Sequence, residues 1–145
     1  MNAPTGARRR AREVAFRVAY QADIAGDSYP VAWQLRKEQE EEKLSSDQLE
    51  LIDDVVAALE ARGSEIDSAL QTALDDRWTM ARLAATDRAV LRVGVAELLA
   101  RVGSPARVVL DEAIDIARTY GSEESGRFVN GVLDKAARTL RPSEF

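Results

Sequence analysis

Seven runs of helix-forming residues, each bounded by a glycine, a proline or a capping serine, restrict this chain to an all-α fold. The first run extends from about Ala7 to Ala25 and stops at Gly26-Asp27-Ser28. Pro30 suits the first turn of a second, which reaches the acidic stretch near Glu42. Ser45-Ser46-Asp47-Gln48 has the form of a capping box and opens a third, closed by Gly63 as a C′ residue. A fourth covers Ser64 to about Asp75, with Ile66, Ala69, Leu70, Ala73 and Leu74 at i, i+3, i+4 spacing. A fifth covers Thr86 to Val102, before Gly103, and Ser104-Pro105 opens a sixth that closes at Gly121. Ser122 caps a seventh that runs to about Leu140, before Pro142. There is no strand alternation and no internal repeat. The expected organisation is a flexible lead-in over 1–6, one helical domain over 7–142 and a tail over 143–145.

Cysteine and histidine are both absent from the 145 residues. Disulfides, thiolate metal sites, thiol nucleophiles and the commonest general base are thereby removed. No enzyme, cofactor or metal site is expected. The one carboxylate cluster of note is Asp111, Glu112 and Asp115, where Asp111 and Asp115 share a helix face. Arg118 lies three residues beyond Asp115, an ordinary helix-surface pairing. No segment is apolar enough to span a bilayer. The basic start lacks the apolar core of a signal peptide, because Arg17 interrupts Val14 to Ala19. The reading is a cytoplasmic protein.

Net charge is −5, but it is unevenly spread. Arg8, Arg9, Arg10, Arg12 and Arg17 are opposed up to that point only by Glu13. From Glu38 to Asp54 there are eight acids and one lysine, Lys43. This asymmetry predicts one face for an anionic partner and another for something different. On a helical wheel, Ala11, Val14, Ala15, Val18, Ala22 and Ala25 gather on one side of the first helix. Arg9, Arg12, Phe16 and Tyr20 fall on the other. Guanidinium groups beside aromatic rings make a platform that can pair with phosphates and stack unpaired bases. The alternative is that the arginines are solvated and the aromatics pack on another helix. The wheel leaves open whether the cluster holds RNA, DNA, anionic lipid or nothing.

The seventh helix repeats the pattern. Val129, Val132, Leu133, Ala136 and Leu140 form its core stripe, and Phe128 falls towards Arg127, Lys135 and Arg138. A composite site requires the first and last helices to lie near each other. Asn130-Gly131 is unusual inside a helix and predicts close approach of a neighbouring helix. Trp33 and Trp78 read as core or interdomain packing.

Four blocks in order then carry a family resemblance. They are Ala7-Arg8-Arg9-Arg10-Ala11-Arg12-Glu13 with Tyr20; Asp87-Arg88-Ala89-Val90-Leu91-Arg92 with Glu97-Leu98-Leu99; Pro105 with Asp111-Glu112-Ala113-Ile114; and Phe128-Val129-Asn130-Gly131-Val132-Leu133-Asp134. They resemble the NusB transcription antitermination factors from residue 7 to about 142, although Ser28 to Asp76 matches only in helical character. The resemblance implies two small helical bundles packed across each other. It implies binding of boxA-type single-stranded leader RNA of ribosomal RNA operons, in a heterodimer with NusE, the ribosomal small-subunit protein. That pair joins other Nus factors on RNA polymerase. RNA contact carries over to Arg8, Arg9, Arg10, Arg12, Tyr20, Arg127 and Phe128, with Glu124 tuning it, and NusE contact to Asp87. Some relatives form homodimers, which the sequence does not decide. The acidic run Glu38 to Glu42 belongs to no motif of the family. The alternative is a protein-interaction module whose basic face binds an acidic protein.

Overall fold

The computed structural model describes residues 5–40 and 42–145. Residues 1–4 of the expected lead-in, and Glu41 of the acidic run, lie outside them. Seven α-helices occur among the described residues: α1 (Thr5–Ala25), α2 (Tyr29–Gln39), α3 (Ser46–Ala61), α4 (Gly63–Ala73), α5 (Ala85–Ala100), α6 (Ala106–Tyr120) and α7 (Glu123–Leu140). Single 3-10 turns occupy Met80–Arg82 and Pro142–Glu144. No strand occurs among the described residues.

Local chemistry sets most boundaries. The Ser45 hydroxyl accepts from Gln48 N, and the Gln48 side chain accepts from Ser45 N, completing the capping box. Ser28 and Ser122 cap α2 and α7 in the same way, through Val31 N and Ser125 N. Gly26 takes a left-handed φ of 74°, and its N–H and that of Asp27 both reach Ala22 O.

Four boundaries differ from expectation. α1 begins at Thr5, so Gly6 is helical. α2 stops at Gln39, short of Glu42, and Glu40 turns extended, held by Arg36 and by Arg10 of α1. Gly63 does not terminate α3 from the left-handed region. Arg62 is the only joint between α3 and α4, and Gly63 opens α4. α5 ends at Ala100, two residues early, where buried Arg141 donates to the carbonyls of Leu98, Arg101 and Ser104. Glu144 accepts from Ala106 N at 2.8 Å, so the expected tail is tied to the start of α6.

Two cores organise these helices. The smaller joins α1, α2 and α3 through Val14, Val18, Trp33, Leu51, Ile52 and Val56. The larger joins α4 to α7 through Leu70, Leu91, Leu110 and Leu133, and takes in Val55 and Leu59 of α3. α1 serves both. Ala11, Val14, Val18 and Ala22 enter the smaller core, while Ala15, Phe16 and Ala19 enter the larger. Each large side chain so buried contributes about 1.5–3 kcal/mol relative to exposure. Helices approach closely at Gly94 of α5, where a Cβ would come within 2.9 Å of Leu133 of α7, and at Gly126 of α7, where one would come within 2.7 Å of Arg118 of α6. At Gly131 a Cβ would meet nothing within 4 Å, so the close approach predicted there does not occur within this chain.

Candidate nucleic-acid interface

The arginine cluster at the start of α1 is engaged by carboxylates. Arg8 lies 3.5 Å from Asp47. Arg9 reaches Glu13 at 3.0 Å, and Glu112 and Asp115 at 3.5 Å. Arg10 donates to Glu40 at 3.3 Å and to the Glu42 carbonyl at 2.9 Å. The basic start and the acidic run expected to serve different partners therefore face each other, and neutralise one another in part.

Arg12 corrects the wheel. It is 5% exposed and makes two 2.8 Å hydrogen bonds to Glu97 of α5. Burial works against its charge, but the hydrogen bond and charge of Glu97 outweigh it and hold the guanidinium pKa above its ordinary value. Its donors point into the protein. Phe16 is buried too, 4.8 Å between ring centroids from Tyr120. The side of α1 that the wheel left to solvent is a second packing face.

Beyond the first turn of α1, Arg17, Tyr20, Ile24 and Ala25 are exposed and Glu13 is half-buried. Arg17 donates to Tyr120 Oη at 2.9 Å, and Tyr120 Oη donates to Glu13 at 3.1 Å. The Arg17 guanidinium also sits 5.4 Å from the Tyr120 ring centroid. Tyr20 is 38% exposed. Arg17, Tyr20, Gln21, Arg36, Thr86 and Tyr120 line an open cavity of about 480 Å³.

A second cavity, of about 300 Å³, follows where the N-termini of α5 and α7 converge. Trp78, Arg82, Asp87, Glu124, Ser125 and Phe128 line it. Thr86 of the first cavity is followed in the chain by Asp87 of the second, and Tyr120 lies two residues before Ser122, so the two cavities are neighbours. Trp78 is exposed rather than packed in a core; its ring meets Phe128 edge-on at 6.2 Å, with Arg82 5.9 Å from its centroid. Oδ1 of Asp87 is buried without a hydrogen-bond partner. Burial pushes the Asp87 carboxyl pKa up, and the Ser125 hydroxyl draws it partly back.

Of the residues singled out from sequence, Tyr20 lines the first cavity and Asp87, Glu124 and Phe128 line the second, with exposed Arg127 beside Phe128. Arg8, Arg9 and Arg10 lie towards the other end of α1, and Arg12 lies beneath the surface. α5 and α6 stand between α1 and α7 and bridge them. Sequence reasoning missed Tyr120, Arg82 and the exposure of Trp78. Arg17 was recoverable, being eight residues from Arg9 on the same helix edge. Asp111 and Asp115 are both exposed, and Asp115 is paired with Arg9 and Arg118. Among the described residues no cluster of metal-ligating side chains occurs, and no helix is long and apolar enough to cross a membrane.

Comparison with known proteins matches this architecture. The profile of the NusB family matches residues 9–138. Transcription antitermination protein NusB of Anaeromyxobacter dehalogenans is 40% identical over 139 residues, covering 96% of each chain. The structure of T. maritima NusB superposes with a TM-score of 0.85 and 32% identity, covering 99% of this chain and 97% of that one. A chain in the crystal structure of antitermination factors NusB and NusE in complex with dsRNA gives a TM-score of 0.77 at 29% identity, covering 92% of this chain and 97% of that one. With its two-core helical architecture, and with a profile match and relatives that span nearly its whole length, the chain belongs to the NusB family.

Proposed function

We propose that this chain is a non-enzymatic transcription antitermination factor of the cytoplasm. It binds boxA-type leader RNA together with NusE, as part of a complex with other Nus factors on RNA polymerase. The observation that carries the RNA reading is the pair of neighbouring cavities, one lined by Arg17 and Tyr20 and the other by Trp78 and Phe128. Exposed rings at intervals beside guanidinium groups suit unpaired bases and their phosphates. The protein relatives bearing the NusB name, and the NusB–NusE complex with dsRNA, support the same reading.

Arg17, Tyr20, Arg127 and Phe128 are the principal RNA contacts in this proposal, with Glu124 at the rim setting the local charge. Arg8, Arg9 and Arg10 add longer-range attraction, and contact phosphate only by exchanging a carboxylate partner. Asp87 is shared ground, because the surface assigned to NusE and the surface assigned to RNA meet at its cavity. The chain acts by holding RNA and NusE together, so that two weak contacts reinforce each other through effective concentration.

Fluorescence titration with boxA and scrambled RNA, with and without NusE, tests this. Tighter binding of boxA, enhanced by NusE, is expected. Equal binding of both RNAs would favour a module that binds an acidic protein surface instead.

A further inference from the structure

We propose that Glu40 and Glu42 hold Arg10 in an autoinhibitory contact, which the phosphates of leader RNA must break to reach that guanidinium. It rests on the RNA-binding reading above, and adds to it that the chain restrains its own affinity for RNA.

The cluster at the start of α1 contains two kinds of arginine. Arg12 is committed to structure, being buried and joined to one carboxylate by two bonds of 2.8 Å. The Arg10 side chain is 28% exposed and spread over two acids, with no fork to either. Its Nη2 donates to Glu40 Oε2 at 3.3 Å and to the Glu42 carbonyl at 2.9 Å, and its Nη1 lies 3.8 Å from Glu42 Oε2. Three oxygens gathered round one end of the guanidinium thus stand where those of a phosphate would. Arg8 and Arg9 are paired as well, but with acids of the helices themselves: Asp47 for Arg8, and Glu13, Glu112 and Asp115 for Arg9. Arg10 meets acids that lie between α2 and α3, outside any helix.

Surrendering Arg10 costs these acids little. Glu40 is shared: its Oε1 accepts from Arg36, one turn back in α2, at 3.1 Å, so it stays paired when Arg10 leaves. The Glu42 side chain is 85% exposed and passes to water. Ion pairs so placed contribute little, whereas a phosphate can take the guanidinium in two parallel bonds. The ordinary account is that the contact pins this connection to α1. Pinning is already supplied by Trp33 and Leu44 in the smaller core, and by the Gln48 side chain, which donates to the Ala7 carbonyl at 2.9 Å. The contact's remaining effect is to occupy a cation that a polyanion would otherwise meet free.

Fluorescence anisotropy with labelled boxA RNA tests this on the whole chain. Glu40→Gln/Glu42→Gln, with its fold checked by circular dichroism, is expected to bind about fivefold more tightly than the native protein. Glu42→Gln alone, at a side chain already in water, is expected to gain about twofold, and tests the same exchange should the double variant lose its fold. Glu38→Gln removes the same charge from the same acidic run, at an exposed residue that forms no ion pair among the described residues, and is expected to leave affinity nearly unchanged. Arg10→Ala is expected to weaken boxA binding about twofold in the native chain but about tenfold in the double variant, where the guanidinium is free beforehand. Unchanged or weaker binding by a folded double variant would overturn the autoinhibitory contact, as would no gain from Glu42→Gln or a gain that survives Arg10→Ala. An equal gain from Glu38→Gln would overturn it too, by making the effect one of net charge. If neither the native chain nor any variant binds boxA or scrambled RNA, the underlying RNA-binding reading fails instead.

Discussion

Arg12 Nε and Nη2 each donate at 2.8 Å to the carboxylate oxygens of Glu97, in a buried pair that joins α1 to α5. The planar guanidinium matches the carboxylate with two parallel bonds, a geometry that lysine cannot reproduce. The pair lies beside Phe16, Val93 and Ile116, so removal of either member strands a charge among apolar groups.

Replacing Arg12 by Ala is accordingly expected to destabilise the fold by about 3–5 kcal/mol. Chemical denaturation followed by circular dichroism measures this. An Arg12→Lys variant recovering most of the loss would show that charge alone suffices and that the fork geometry is dispensable.

RNA affinity should fall with salt according to the cations still free to meet phosphates. Arg17, Arg82 and Arg127 form no ion pair among the described residues. Three such contacts to single-stranded RNA predict a log–log slope of about −2, and Arg17→Ala should make it shallower by about 0.7. A slope near zero in a salt titration would remove the electrostatic contribution.

Asp87 predicts a pH dependence of stability. Below its ordinary carboxyl value of 3.8 it is protonated whether the chain is folded or not, and its contribution is then fully present. As pH rises through the higher folded value, the desolvated charge costs stability, and the Ser125 hydroxyl offsets only part of that. Asp87→Asn should therefore melt above the native protein at pH 7, with the gap closing as pH falls towards 4. Thermal scans across that range read it directly.

Gly131 lies exposed in the middle of α7, with open space where a Cβ would stand. Gly131→Ala should stabilise the helix by up to about 1 kcal/mol, seen as a raised melting temperature. A lowered one would mean that the backbone there is strained in a way its helical geometry conceals.

Arg141 holds three carbonyls where α5 gives way to α6. Arg141→Ala leaves buried acceptors unsatisfied and is expected to cost roughly 3 kcal/mol. Hydrogen exchange should localise the loosening to the α5–α6 connection and the C-terminal turn.

What the sequence discloses here follows the range of the interactions. The caps at Ser45 and Ser122 and the turn at Gly26 depend on neighbours within a few residues, and all were readable. The core stripe of α7 was readable as well, because Val129, Val132, Leu133 and Ala136 face one core only. α1 misled because a wheel assigns a helix one buried side, and this one has two. The engagement of Arg10 with Glu40, thirty positions away, leaves no trace in local spacing. Trp78 sits in the irregular stretch between α4 and α5, where no periodicity tells inward from outward. The candidate site consequently emerged only in part: Tyr20, Arg127 and Phe128 were visible in sequence, while Tyr120, Arg82 and the exposure of Trp78 were not.

The placement of α1 between two cores bears on how the molecule comes apart. Neither bundle keeps its apolar surface covered once residues 5–25 leave, so the halves share a single fate. Amides of α1 should exchange only through global opening, and a fragment beginning after Ala25 should yield neither bundle alone. In the order of synthesis this segment precedes its packing partners and stays unsatisfied until α5 and α6 have emerged to close over it.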